Sequence, residues 1–255
     1  MAKSGEAIAT ATRTKRSAGP RQPARGRGHI RYDALVDATE TLLRTDDPDE
    51  VGLYRIAEQA NVPPASVYHF FPTKEAAFTA VAMRTMEQLV AVHREPIAAE
   101  QVKSWQQLFR IDISRARDFY NNHPAGLKIF YGGYGGVDAR NIDQATSVNL
   151  AVASYDRMNS LFHMPYLRAP EKKFEARMAI LDAIWSLSVR QTGHIDEEYF
   201  EESFQACIAY SRTFLPERIE LRDALNIAIA EKQTVCLPFD DFFPVDDSVS
   251  GESTK

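Results

Sequence analysis

Between Leu53 and Glu75 the chain reads LYRIAEQANVPPASVYHFFPTKE, the stretch whose residue types and spacing can do chemistry. Two short helical patterns, 53–60 and 65–71, flank a turn of three to four residues. In that layout the second helix enters the major groove of duplex DNA. Ile56 and Ala57 are spaced to pack the first helix, and the small Ala60 lets the second helix cross it closely. Asn61 falls in the turn, where a left-handed backbone favours Gly and, next, Asn. Val62 plugs the corner and Val67 points inward. Pro64 suits the first helical position, which has no use for the N–H that proline lacks. The outward set is then Pro64, Ala65, Ser66, Tyr68 and His69, small or polar enough to meet base edges and phosphates. Phe70 and Phe71 are read as the apolar pin that holds this helix to its neighbours. Thr73 is placed as an N-cap after Pro72, so the helix it opens favours an anion at its start. Lys74 adds a full positive charge there, and Arg31 and Arg55 complete the candidate DNA-contacting set.

The flanking segments must position that pair of helices. From His29, Leu35, Val36, Thr39, Leu42 and Leu43 mark one face of a helix of about four turns, ended by Thr45-Asp46-Asp47-Pro48. After Thr73 a longer helix carries Ala77, Phe78, Val81, Met86, Leu89 and Val90. Further helical patterns follow at 101–121, 124–130, 139–164, 171–192 and 197–214, with Gly193 as a C-cap and Asp196 as an N-cap between the last two. Residues 216–232 predict one more helix. No alternating strand pattern and no internal repeat is found. The expected fold is all-α: a three-helix helix-turn-helix domain at 29–78, then a larger helical domain at 79–215. Residues 1–28 are expected to form a disordered basic arm, and 216–255 a helix followed by an acidic tail from 233.

Charge supports this division. The 255 residues carry a net charge of −5, yet Lys3, Arg13, Lys15, Arg16, Arg21, Arg25, Arg27 and Arg31 face a single acid, Glu6, in the first 31 positions. A polyanion is attracted to the start of the chain and repelled by much of the rest, which orients the molecule on it. Arg21, Arg25 and Arg27 sit where an arm can supplement a helix-turn-helix, by general phosphate attraction or in the minor groove. No apolar run reaches the ~18–20 residues of a membrane span, and no signal-peptide core is present, so a cytoplasmic protein is expected. Cys207 and Cys236 give neither a disulfide framework nor metal-ligand spacing, and His123, His163 and His194 are scattered; no metal or cofactor is expected. The motifs of hydrolases, zinc proteases, P-loop enzymes and redox dithiols are missing, so no catalytic activity is expected.

The stretch from Tyr32 to Phe78 resembles the N-terminal domain of the TetR family of regulators. Ile56-Ala57, Ala60-Asn61-Val62, Ser66-Val67-Tyr68-His69-Phe70-Phe71 and Pro72-Thr73-Lys74-Glu75 stand at the family's spacings. Gly52 replaces a common Thr cap, Asn61 the turn Gly, Pro63 the usual Ser and Ala65 a frequent Gly. The resemblance implies that Tyr68 and Lys74 touch phosphates, while Ser66 and His69 meet bases or nearby phosphates. It further implies a homodimer on a palindromic operator, most often a repressor, released by a small-molecule effector. For the effector pocket the aromatic and soft residues Trp105, Phe109, Tyr120, Phe130, Tyr131, Met158, Phe162 and Trp185 are the candidates. For a dimer seam built from the last two long helices they are Phe174, Met178, Leu181, Phe200, Phe204 and Ile208. An architectural DNA-binding protein without an effector is the competing expectation.

Overall fold

In the computed structural model residues 19–23 and 26–235 are described. Most of the expected basic arm, Arg25 included, and the tail from Cys236 lie outside the described residues. Ten α-helices follow one another among them: α1 Arg27–Thr45, α2 Leu53–Gln59, α3 Pro64–Phe70, α4 Lys74–Arg94, α5 Trp105–Asn122, α6 Pro124–Phe130, α7 Gly136–Leu161, α8 Pro170–Thr192, α9 Glu197–Ser211 and α10 Asp223–Ala230. The fold is all-α, with an N-terminal helix-turn-helix unit and a larger helical unit behind it. No described helix is long and apolar enough to cross a membrane.

The helix ends follow local chemistry. Thr73, Ser104 and Asp196 cap α4, α5 and α9, each side-chain oxygen accepting a backbone N–H three residues on. Gly193 closes α8 at φ 78°, a left-handed geometry that costs glycine nothing.

Three expectations are corrected. Arg27 and Gly28, assigned to the arm, belong to the first turn of α1. Much of 216–232 is not helical. Leu221 bridges to Phe162, Arg222 donates its N–H to Leu161 O at 2.9 Å, and His163 donates to Glu220 O at 2.9 Å. The end of α7 thus takes hydrogen bonds that a longer last helix would have kept for itself. Finally, Thr234 and Val235, assigned to the tail, pair antiparallel with Ala98 and Ile97 in a two-residue ladder of β1 Ile97–Ala98 and β2 Thr234–Val235.

Two apolar cores divide the buried residues. The first gathers Leu35, Val36, Leu43, Ile56, Val67, Phe71, Phe78 and Val81; the second is built around Trp105, Leu108, Phe162, Phe174 and Trp185. α4 serves both, with residues 76–82 in the first and Met86 and Leu89 in the second. α6 does likewise, giving Ala125 and Ile129 to the first and Leu127 to the second. The two helices meet where Gly126 lies against Thr85: a methyl group at 126 would stand 2.6 Å from Thr85 Cγ2. Thr85 cannot turn away freely, because its hydroxyl donates to Val81 O at 2.8 Å.

Gly126→Ala should therefore destabilise the protein by about 1–3 kcal/mol through overpacking, although alanine is the better helix former. Thr85→Ser removes Cγ2, keeps the hydroxyl and should recover most of that loss. Urea unfolding of the two single variants and the double variant checks the coupling; additive effects would mean that the contact is not tight.

Candidate functional site

The chain between α2 and α3 turns as its residues dictate. Ala60 ends α2 with its N–H on Ile56 O at 3.0 Å, and Asn61 takes the left-handed conformation at φ 52°. Val62 then donates back to Ala57 O at 3.0 Å, tightening the corner. Pro63 stays outside the helix at ψ 139°, and Pro64 is the first residue of α3. Val67, Phe70 and Phe71 are buried, and Tyr32 of α1 packs on both phenylalanines with ring centroids 5.9 and 5.3 Å away. With α3 pinned from behind, Pro64, Ala65, Tyr68 and His69 face solvent together, and Ser66 is half-buried beside them. Tyr68 is 51% exposed, far more than an aromatic side chain serving the core. Tyr54, 69% exposed on α2, went unselected in the sequence; its place off the Ile56–Ala57 face is the signal that could have found it.

The cationic candidates are distributed around this face. Thr73 Oγ1 accepts the Ala76 N–H at 3.2 Å, so α4 opens with a capped, anion-favouring turn. Lys74 Nζ rests 3.5 Å from both Asp49 Oδ1 and Pro48 O. Arg55 is engaged with Asp46 Oδ2 at 2.5 Å and Glu50 O at 3.3 Å. These pairs are partly exposed and worth no more than about 1 kcal/mol each, so a phosphate can replace the carboxylate. Arg31 is exposed on α1. Arg21 donates its backbone N–H to Phe70 O at 2.9 Å, which lays the segment 19–23 across the end of α3 with the Arg21 side chain exposed.

Inside the larger unit, the predicted pocket does not form as expected. Trp105 and Trp185 are fully buried and their indole N–H groups are matched, by Pro216 O and Ser203 Oγ, each at 3.0 Å. Tyr120, Tyr131 and Trp185 pack edge to face, with Phe130 against Tyr120, and Met158 and Phe162 are core. Rings that satisfy one another leave no space for a ligand. A cavity of about 40 Å³ lies instead between α4, α5, α7 and α8, and of the eight candidates Phe109 alone lines it. Its other walls include His93, Asp112, Ile113, Leu150, Ser154, Arg157, Arg177, Met178 and Leu181. Asp112 and Arg157 form a buried ion pair there, and Arg157 also donates to His93 O at 3.0 Å. Burial and the nearby Arg157 and Arg115 push the His93 imidazole down to about 3, so it is neutral.

The seam residues are corrected as well. Phe174, Leu181, Phe200 and Ile208 are buried in the protomer's own core, Met178 walls the cavity, and Phe204 stacks on Phe109 at 6.2 Å. The outward row of α8 is Ala179, Ala183 and Leu187, flanked by half-buried Ile180 and Ile184; α9 adds Ala206, Ala209 and Tyr210.

Residues 35–81 match the family of bacterial regulatory proteins designated tetR. No curated protein matches in sequence. Solved structures share the fold. A TetR-family transcriptional regulator from Streptomyces coelicolor is 21% identical at a TM-score of 0.52, over 73% of this chain and 98% of that one. A TetR transcriptional regulator from Rhodococcus sp. RHA1 is 15% identical at 0.54, over 73% and 97%. SmeT, the repressor of the Stenotrophomonas maltophilia multidrug efflux pump SmeDEF, is 10% identical at 0.50, over 76% and 92%.

Two outcomes are expected from this geometry. Tyr68→Ala and Lys74→Ala should each weaken binding to any duplex DNA, and Lys74→Ala should flatten the salt dependence by about one counterion. Titrations at several salt concentrations check this; parental affinity throughout would mean that α3 presents another face. The second outcome concerns Asp182, which accepts the Tyr131 hydroxyl at 3.0 Å. Burial, reinforced by Asp143, pushes its carboxyl up to about 7, and burial pushes that of Asp143 up to about 6. The folded chain holds these protons more tightly than the unfolded one, so stability should fall as pH rises from about 4 to about 7. Asp182→Asn, which keeps an acceptor for Tyr131, should flatten that fall and raise stability at pH 8 in denaturant titrations.

Proposed function

We propose, from the premise that residues 35–81 are the DNA-binding domain of a bacterial regulatory protein of the tetR family, that this chain is a dimeric, ligand-released transcriptional repressor. The observation that carries the reading is the outward face of α3. Pro64, Ala65, Tyr68 and His69 stand exposed on a helix whose reverse side is locked by Val67, Phe70 and Phe71. A rigid, partly polar helix of this size has the shape of a major-groove reader. Ala65 and His69 are assigned to base edges, Tyr68 and Lys74 to phosphates, with Ser66, Thr73, Arg31 and Arg55 beside them. Arg21 extends the cationic surface from the end of α3.

One seven-residue helix reads a few base pairs, so specificity requires a second copy one helical turn away, about 34–36 Å on B-DNA. The surface suited to join the copies is the outer row of α8 and α9. Ala179, Ala183 and Ala209 allow close helix approach, while Ile180, Ile184 and Leu187 supply apolar area. Leu187 is 43% exposed in the single chain, an apolar side chain left for a partner to cover. Ligand release is supported by the cavity under α8, which an architectural DNA-binding protein does not need. Repression is supported by the likeness in fold to SmeT, itself a repressor.

Selection from random duplexes should return an inverted repeat; a single unrepeated site would overturn the dimeric reading. Leu187→Glu or Ile184→Glu should give folded monomers with much weakened operator binding, because each copy brings an unpaired charge to the two-fold axis. Ile208→Glu should instead unfold the protomer. Sedimentation velocity and circular dichroism separate the two cases, and a dimeric Leu187→Glu protein would place the seam elsewhere.

A further inference from the structure

Arg177 is 1% exposed, yet its guanidinium is largely unmatched. Nη2 donates to Ser154 Oγ at 2.8 Å, whereas Nε and Nη1 have no hydrogen-bond partner. The flat group lies between two aromatic faces, 4.3 Å from the Phe109 centroid and 4.4 Å from that of Phe174. Those rings stabilise the cation from above and below but accept no hydrogen bond in its plane. The buried carboxylate nearby, Asp112, is already paired with Arg157, and among the described residues no acid forms an ion pair with Arg177. The Cys207 thiol, whose Sγ lies 3.4 Å from Arg177 O, is pushed up to about 12 by burial and is neutral. Burial lowers Arg177 itself to about 10, still above any physiological pH. The cavity wall therefore carries one positive charge more than its acids balance, with in-plane donors left over.

An uncompensated buried guanidinium is costly unless an anion completes it. We propose that this cavity takes the carboxylate of a small organic monoanion, with the Arg177 guanidinium as its donor and counter-charge and the apolar body of the ligand against Phe109, Ile113, Leu150, Met178 and Leu181. The inference rests on the ligand-released reading above and adds to it the chemical class of the ligand. A hydrogen bond from guanidinium to carboxylate is charge-assisted, and a neutral amide cannot match it. A phosphate fits less well: it needs more donors than Arg177 and Ser154 offer, and Asp112 repels its second charge. The cavity of about 40 Å³ admits a headgroup and a short body, well below the ~300 Å³ at which drug-sized pockets begin. Longer ligands would have to part α7 from α8.

The test uses the full-length protein and a graded series: acetate, butyrate, hexanoate, benzoate and phenylacetate, each beside its primary amide, at constant ionic strength. At least one carboxylate should raise the melting temperature where its amide does not, and inorganic phosphate should give no shift. In Arg177→Met that response should vanish; in Arg177→Lys it should persist at affinity reduced by about tenfold or more, since the charge remains without the planar, delocalised guanidinium. A wild-type protein that distinguishes no carboxylate from its amide overturns the proposal, whatever the variants do, as does an equal response to phosphate. DNA binding in the same samples keeps the two readings apart. Carboxylate binding that leaves DNA affinity unchanged supports the anion site and removes the ligand-release reading. Intact DNA binding with no carboxylate response overturns the anion site and leaves the DNA-binding reading standing.

Discussion

Because Lys74–Arg94 is one uninterrupted helix, buried in one core at residues 76–82 and in another at Met86 and Leu89, neither core can repack without moving the other. Interiors packed at crystal-like density transmit small displacements rather than absorb them. α6 closes the connection from a second side. Gly126 meets Thr85 of α4, and Lys128 Nζ donates to Asp46 O at 3.0 Å, just past the C-terminal end of α1. The helix-turn-helix is thus held by α4 at one edge and by α6 at the other, and its orientation follows from where the larger unit places them. The last residues of α4 reach the interior cavity through His93, so one helix runs from the cavity to the anion-favouring turn at Thr73.

The polar groups buried along that route show the same economy. Arg157 of α7 pairs with Asp112 of α5 and donates to the His93 carbonyl of α4, tying three helices with one guanidinium. Trp185 reaches Ser203 between α8 and α9, and Asn121 exchanges hydrogen bonds with the Ile195 backbone in both directions at 2.9 Å. Removing one member of such a set strands the others in a medium that cannot solvate them. Arg177 breaks the pattern, since it is buried as deeply as these groups and is not completed by them.

What the sequence made legible divides along the range of the interactions. The helix-turn-helix could be read because its determinants are local: Asn61 for a left-handed residue, Pro64 for a first turn, Thr73 for a cap, Val67 and Phe71 for a hidden face. The larger unit could be read for its helices and not for their neighbours. Periodicity identified Phe174, Leu181, Phe200 and Ile208 as a buried stripe, but an apolar stripe does not state whether its own chain or a second copy covers it, and here the chain does. The opposite face of α8, rich in alanine, carried too little hydrophobicity to be noticed. Aromatic residues were read as a cavity lining for a similar reason: composition supplies rings but not their partners, and Trp105 and Trp185 find theirs inside the core. Arg177 lies within the α8 stripe, and a charged residue in such a pattern reads as solvent-facing until a structure shows it sealed between Phe109 and Phe174.

A ligand acts on an equilibrium only through its differential affinity for the two states, and a useful response needs a coupling of about 1–3 kcal/mol. In the proposed mechanism the cavity is placed to supply it, because its walls belong to helices with different tasks. Arg177, Met178 and Leu181 lie on α8, whose outer face is assigned to the seam; His93 ends α4, which carries the helix-turn-helix. Phe109 is shared further, its ring under the Arg177 guanidinium and stacked on Phe204 of α9. A ligand longer than the cavity admits must part α7 from α8, so its binding changes the spacing of these helices. α4 also carries, at its far end, Lys74 and the capped turn that follows α3.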